Sequence, residues 1–144
     1  MKPLSPKKRE AIHLVPFRKD SESVYFFLQK RDAHAKLLPN WFGFFGGGLE
    51  LPEAPEEGIL REIEEELAFI PDRHEFFCYY EFWDRISHVF ILEVDVGFES
   101  KIEVREGQYG KFFSEKEMQN EPLLRDEAKL ILKHLAEHVK QKGI

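Results

Sequence analysis

Residues 47–69, GGLELPEAPEEGILREIEEELAF, constrain this chain more than any other stretch. Leu60, Ile63 and Leu67, with Ile59 beside them, recur at three- and four-residue steps, the spacing of one buried stripe along a helix. At about 3.6 residues per turn, Glu62, Glu65 and Glu66 share a second face, turned roughly 100° or more from the middle of that stripe. One side of such a helix can anchor in a core while three carboxylates converge on the other. Like charges at these spacings repel, by about a few tenths of a kcal/mol per pair on an open helix. A hard divalent cation with oxygen ligands would neutralise them, and Mg²⁺ binds a few carboxylates together with waters and substrate phosphates. The plain alternative is a solvated acidic helix face.

The residues upstream bear on that choice. Gly46, Gly47 and Gly48 come first, then Glu53, then Arg61. Three successive glycines allow backbone conformations closed to other residues and let a phosphate approach the main chain. Taken with its spacing, the stretch resembles the Nudix box, the signature of the Nudix hydrolases. Its positions here are Gly47, Glu53, Arg61, Glu62, Ile63, Glu65, Glu66, Ala68 and Phe69, and only Ala68, in place of a glycine, departs from the pattern. Just outside, Phe45-Gly46-Gly47 stands where many members have Pro-Gly-Gly.

The resemblance implies an α/β fold, the Nudix-type α/β/α sandwich with a mixed central sheet. It implies hydrolysis of a nucleoside diphosphate linked to another group, with water attacking a phosphorus of the diphosphate. Such chemistry needs phosphate charge neutralised and an activated water held in line. By the same resemblance Glu62, Glu65 and Glu66 are metal ligands for Mg²⁺, with Mn²⁺ as a substitute, and one of them can also act as general base. Glu53 and Arg61 would pair, the guanidinium orienting the carboxylates. Gly46, Gly47 and Gly48 would meet substrate. In the MutT-like branch a metal-coordinating or base glutamate opens a run that Glu106-Gly107-Gln108-Tyr109-Gly110 matches; its alternative is a turn with a solvated glutamate. Asn120, ahead of Pro122, stands where mutator-type members read an oxidised guanine, although Asn-x-Pro is also an ordinary helix start.

A nucleoside triphosphate, including an oxidised one such as 8-oxo-dGTP, is the first substrate class. Nucleotide sugars and dinucleotide polyphosphates are alternatives, because specificity lies in loops outside the box. A Nudix module that senses a nucleotide without cleaving it is the alternative of another class. Homodimers occur in the family.

Composition narrows the setting. The 144 residues suit one domain, with residues 1–10 expected as a flexible lead-in. A net charge of −6 argues against a nucleic-acid polymer, whose phosphates need a basic footprint, but not against a small phosphorylated ligand met through a metal. Cys78 stands alone, so a reduced cytoplasmic setting is expected. No apolar run is long enough to span a bilayer, and no signal-peptide pattern opens the chain.

Strands are expected at residues 11–17 and 24–29, around a polar turn, then at 76–82 and 87–96, with 102–105 extending the sheet and 109–113 as a further short strand. The loop at 32–40 is a candidate substrate contact, and the aromatic run 41–45 reads as core strand ahead of base-stacking surface. The first helix should end near 68–70 with Pro71 as a stop. Ser114 and Glu117 form a capping-box pattern, and Leu124, Ala128, Ile131, Leu135 and Val139 mark a last amphipathic helix.

Overall fold

The computed structural model describes residues 8–70 and 73–142. Strand β1 (Arg9–Lys19) turns through Asp20, whose carboxylate accepts from the Glu22 and Ser23 N–H groups at 2.8 and 2.9 Å, into the antiparallel strand β2 (Val24–Lys30). Arg9 and Glu10 are already in register with Arg85 and Ile86, so the expected lead-in is shorter than ten residues; residues 1–7 lie outside the described part. The aromatic run supplies two short strands, β3 (Phe42–Gly43) and β4 (Phe45–Gly48). Phe42 and Phe45 are buried on opposite sides of the sheet, while Trp41 and Phe44 are only partly covered.

Strands β5 (Glu75–Glu81) and β6 (Arg85–Glu93) form a hairpin, and β7 (Tyr109–Ser114) returns beside β2. The sheet runs β3-β2-β1-β6-β5, with β4 pairing β1 and β7 pairing β2. Only β1 and β6 run parallel, through nine registered pairs, which makes the sheet mixed. Along β1 the faces alternate as a strand requires. Ile12 and Leu14 join the cluster with Phe27, Phe45, Ile59, Ile63 and Leu67. Val15 and Phe17 join the opposite cluster with Phe26, Ile131, Leu132 and Leu135. Helix α1 (Pro55–Leu67) therefore covers one face and α3 (Asp126–Lys142) the other, giving the expected α/β/α layers.

Helix α1 starts with Pro55 in its first turn, and Glu57 reaches back to the Ala54 N–H at 3.2 Å. Its buried stripe is Ile59, Ile63 and Leu67, each fully covered, whereas Leu60 is 36% exposed and lies at the margin. Each of those three contributes about 1.5–3 kcal/mol of apolar burial, far more than the tenths lost to each carboxylate pair, so the core holds the acidic face in place. The helix ends on Ala68 in the left-handed conformation, φ 52° and ψ 41°, its N–H donating to the Glu64 carbonyl. Pro71, the expected stop, lies outside the described residues.

Residues 102–105 do not extend the sheet. They follow a 3₁₀ turn (Phe98–Lys101) and dock on the end of α1, where Glu103 N–H donates to the Leu67 carbonyl at 3.0 Å and Arg105 N–H to that of Glu66 at 2.7 Å. The open carbonyls of the helix terminus compete for this segment, and a strand-like alternation cannot reveal that. The capping box forms as expected: Ser114 and Glu117 exchange bonds of 3.0 and 3.1 Å at the start of α2 (Glu115–Asn120).

Candidate active site

Arg61 ties the helix to the loop before it. Its Nε and Nη2 grip Glu53 at 3.1 and 2.7 Å, and Nη1 reaches Glu62 at 3.0 Å and Glu65 at 3.5 Å. The fork-on-carboxylate geometry demands arginine, since lysine cannot bond in a plane at two points. The guanidinium holds the Glu53 carboxyl below its usual range, helped by the Glu50 N–H.

One turn along the helix, Glu66 is only 2% exposed although it carries a carboxylate. Its Oε2 accepts from the Gly46 N–H at 2.7 Å. Gly46 can be there only as glycine: its φ is 135°, and an added Cβ would overlap the Ile12 carbonyl of β1. Gly47 lies against Glu62, where a Cβ would stand 2.7 Å from the carboxylate oxygen.

Glu106 comes to the same place from the segment docked on the end of α1, just after Arg105, whose N–H donates to the Glu66 carbonyl at 2.7 Å. Gln29 Nε2 donates to its carbonyl at 2.8 Å, and Gln108 N–H donates to the Lys30 carbonyl at 2.8 Å. The Gln108 side chain bonds Arg31 and Asn40 in turn, so the loop is pinned on both sides. Burial first, and then the neighbouring Glu106, push the Glu66 carboxyl up to about 9. Burial also raises Glu62, against the pull of Arg61.

Some of these groups border a cleft of about 330 Å³ on the α3 side of the sheet, while Glu53, Arg61, Glu62, Glu65 and Gly48 stand outside its lining. Glu66, Glu106, Gly46 and Gly47 line one part of it, and His13, Phe44 and Ser87 line another. Leu37 and Leu38 bring the 32–40 loop to its wall.

The chain from residue 7 to 135 matches the NUDIX domain model. It is also 30% identical over 99 residues to the 8-oxo-dGTP diphosphatase of Escherichia coli K12, spanning 67% of this chain and 74% of that protein. The chain belongs to the Nudix family. As a Nudix hydrolase it is an enzyme of phosphoric anhydrides. Solved structures agree on the fold. A MutT from work on the Aliivibrio salmonicida and Vibrio cholerae proteins superposes with a TM-score of 0.72 at 21% identity, covering 92% of this chain and 99% of that one. The NUDIX domain of Shewanella oneidensis NrtR, complexed with ADP-ribose, gives 0.73 at 14% identity over 94% and 90%.

In this Nudix chain the three helix carboxylates differ in cover, although one nitrogen of Arg61 meets both Glu62 and Glu65. Glu66 and Glu62 turn inward, whereas the Glu65 side chain is 60% exposed and leans on Arg61. Among the described residues no group of three or more His, Cys, Asp or Glu side chains is placed to hold a metal ion. A closed cage is not what Mg²⁺ needs, because it keeps waters and takes one or two carboxylates plus substrate phosphates. Glu66 beside Glu106 supplies such a pair, all oxygen, in a place where burial opposes the bare charge. The donor set fits a hard divalent cation. Asn120 does not join the site: it is exposed at the end of α2 and lines no part of the cleft.

The sequence reading missed the opposite wall. His13, Gln29, Arg31, Ser87 and Arg85 line the cleft from β1, β2 and β6 and their ends. Their strand positions look like ordinary alternation, and the only available signal was polar residues, His13 and Ser87, on faces otherwise apolar.

Proposed function

We propose that this Nudix hydrolase cleaves the diphosphate linkage of a nucleoside triphosphate in the presence of Mg²⁺, with Mn²⁺ as a substitute, releasing a monophosphate and pyrophosphate. The observation that carries the reading is Glu66, a nearly buried carboxylate bonded to the Gly46 N–H beside Glu106, at the border of a cleft large enough for a small ligand.

Glu66 and Glu106, with Glu62 beside them, would hold the divalent ion. When bound, it supplies neutralisation of the phosphate charge and acidification of a water. Glu53 and Arg61 act on the other groups by position: the bidentate pair fixes the start of the loop against the helix and holds Glu62 in place. Glu65 is the candidate general base or further ligand, held by Arg61 at the solvent side. Gly46 and Gly47 bring main chain rather than side chains next to Glu66 and Glu62, leaving room for phosphate oxygens, and the Gly48 carbonyl accepts from Arg61 at 3.4 Å. Arg31, whose Nε donates to the Leu37 carbonyl, places a fixed positive charge on the cleft wall for the same anion.

The diphosphatase relative supports an oxidised nucleotide such as 8-oxo-dGTP as a first substrate to try. The test is a turnover screen with Mg²⁺ over ordinary and oxidised nucleoside triphosphates, nucleotide sugars, dinucleotide polyphosphates and ADP-ribose, with products identified. Monophosphate plus pyrophosphate from a triphosphate is the expected result. Cleavage of a sugar nucleotide or dinucleotide alone would keep the chemistry and move the specificity. Binding without cleavage of any of them would replace the enzyme reading for this site by that of a sensor. A reducing compartment suits the single thiol, Cys78.

A further inference from the structure

Two polar side chains on the cleft wall have no partner. Ser87 is 1% exposed and its Oγ makes no hydrogen bond, and the buried Nδ1 of His13 makes none either. An unpartnered buried hydroxyl or imidazole nitrogen costs about 1–3 kcal/mol, so neither is there for stability. Both lie on the same face of the parallel pair β1 and β6: Ser87 is registered with Ala11, and His13 with Val89 two residues further on. From strand rise and spacing their Cα atoms stand roughly 8 Å apart. Ala11 between them leaves the floor open, and the ring of Phe44 stands 5.4 Å from that of His13, tilted by 55°.

The arrangement separates the cleft into two chemistries. Toward Glu66 and Glu106 it suits phosphates and a cation. Toward His13 and Ser87 it offers an aromatic ring and two polar points that carry no fixed charge, because burial and the nearby Arg85 lower the His13 pKa to about 4. A neutral imidazole presents one donor and one acceptor, and a hydroxyl presents both. A flat, neutral heteroaromatic ring with donors and acceptors on its edge matches that pair. Charged groups line this end as well, and Arg85 is paired with Asp84 at 3.2 Å and with Glu127, and Arg125 with Glu127 at 3.6 Å, while Arg9 stands beyond Ser87 at the strand start.

We propose that His13 and Ser87 read the hydrogen-bonding edge of the substrate's nucleobase beside Phe44, and so decide which nucleotide this enzyme accepts. The proposal rests on the nucleotide-hydrolase reading of the same cleft. It makes these two residues specificity determinants, with no part in the phosphate chemistry.

The experiment is calorimetric binding of four α,β-methylene nucleoside triphosphates, carrying adenine, guanine, cytosine and uracil, to wild type, Ser87→Ala and His13→Phe. These analogues resist cleavage between the first two phosphates, so the result does not depend on turnover. Wild type is expected to prefer one base. Each variant should weaken that base about tenfold, the worth of one hydrogen bond of about 1.4 kcal/mol, and narrow the preference to within about threefold. The other bases should change little. Ser87→Ala removes an unpaired hydroxyl, so its melting temperature should match or exceed that of wild type; it decides the matter alone if His13→Phe does not fold. An unchanged preference in a folded Ser87→Ala overturns the proposal and leaves the hydrolase reading standing. Equal binding of all four bases by wild type overturns it as well. Binding of none overturns it too, and a silent turnover screen would then remove the hydrolase reading separately.

Discussion

Ala68 sits in the left-handed region, φ 52° and ψ 41°, at the position where the resembled box has glycine. For an L-residue with a Cβ this costs about 1 kcal/mol relative to glycine, and the helix still closes because its N–H reaches the Glu64 carbonyl at 3.1 Å. Ala68→Gly should therefore stabilise the protein by about 1 kcal/mol, seen as a melting temperature about 3–4 °C higher. A lower melting temperature would mean that contacts of the alanine methyl outweigh the backbone gain. Glu66 gives a prediction of opposite character. Its carboxyl is raised to about 9 from an ordinary 4.5, so the metal-free folded state holds this proton more tightly than the unfolded chain does. The stability it contributes is full below pH 4.5 and is lost as pH rises towards 9. Urea unfolding in chelator should show wild type weakening across that window, and Glu66→Gln should weaken less. Added Mg²⁺ should displace about one proton at pH 7, measurable as buffer-dependent binding heat.

At the level of elements, Arg61 is where loop and helix are joined, and the geometry of the joint is planar. Arg61→Lys keeps the charge and loses the fork. It should lower Mg²⁺ affinity or turnover about 10–100-fold, the usual loss when a group that orients ligands is removed, with little change in far-ultraviolet circular dichroism. Activity within twofold of wild type would show that Glu53 and Glu62 hold their places without it. The Glu53–Arg61 pair was readable through the resemblance to the Nudix box, because both belong to one continuous stretch. The 102–105 segment was not: Ile102 and Val104 alternate as in a strand, yet the backbone bonds go to the end of α1. Local pattern records which side chains are apolar, and it does not record which distant carbonyls lack donors.

Over the whole molecule, the layers followed from periodicity. Ile59, Ile63 and Leu67 bury against one face of the sheet, and Ile131, Leu135 and Val139 against the other. The site was legible where it is local and obscure where it is assembled. Glu66 and Glu106 were found through their motifs, although only the fold could show that Glu65 turns to solvent and that Asn120 stands outside the cleft. His13 and Ser87 became visible only when β1 and β6 aligned in parallel and left both polar atoms unpaired. The most direct test is Mg²⁺-dependent turnover of the best substrate by wild type and Glu66→Gln, with nucleotide binding measured alongside. The cleft reading requires turnover to fall at least about a thousandfold in Glu66→Gln while the folded protein still binds nucleotide, because removing a group that holds the charge-neutralising ion acts mainly on the transition state. Turnover within about tenfold of wild type would contradict it, and would place the chemistry away from the Glu66 and Glu106 carboxylates.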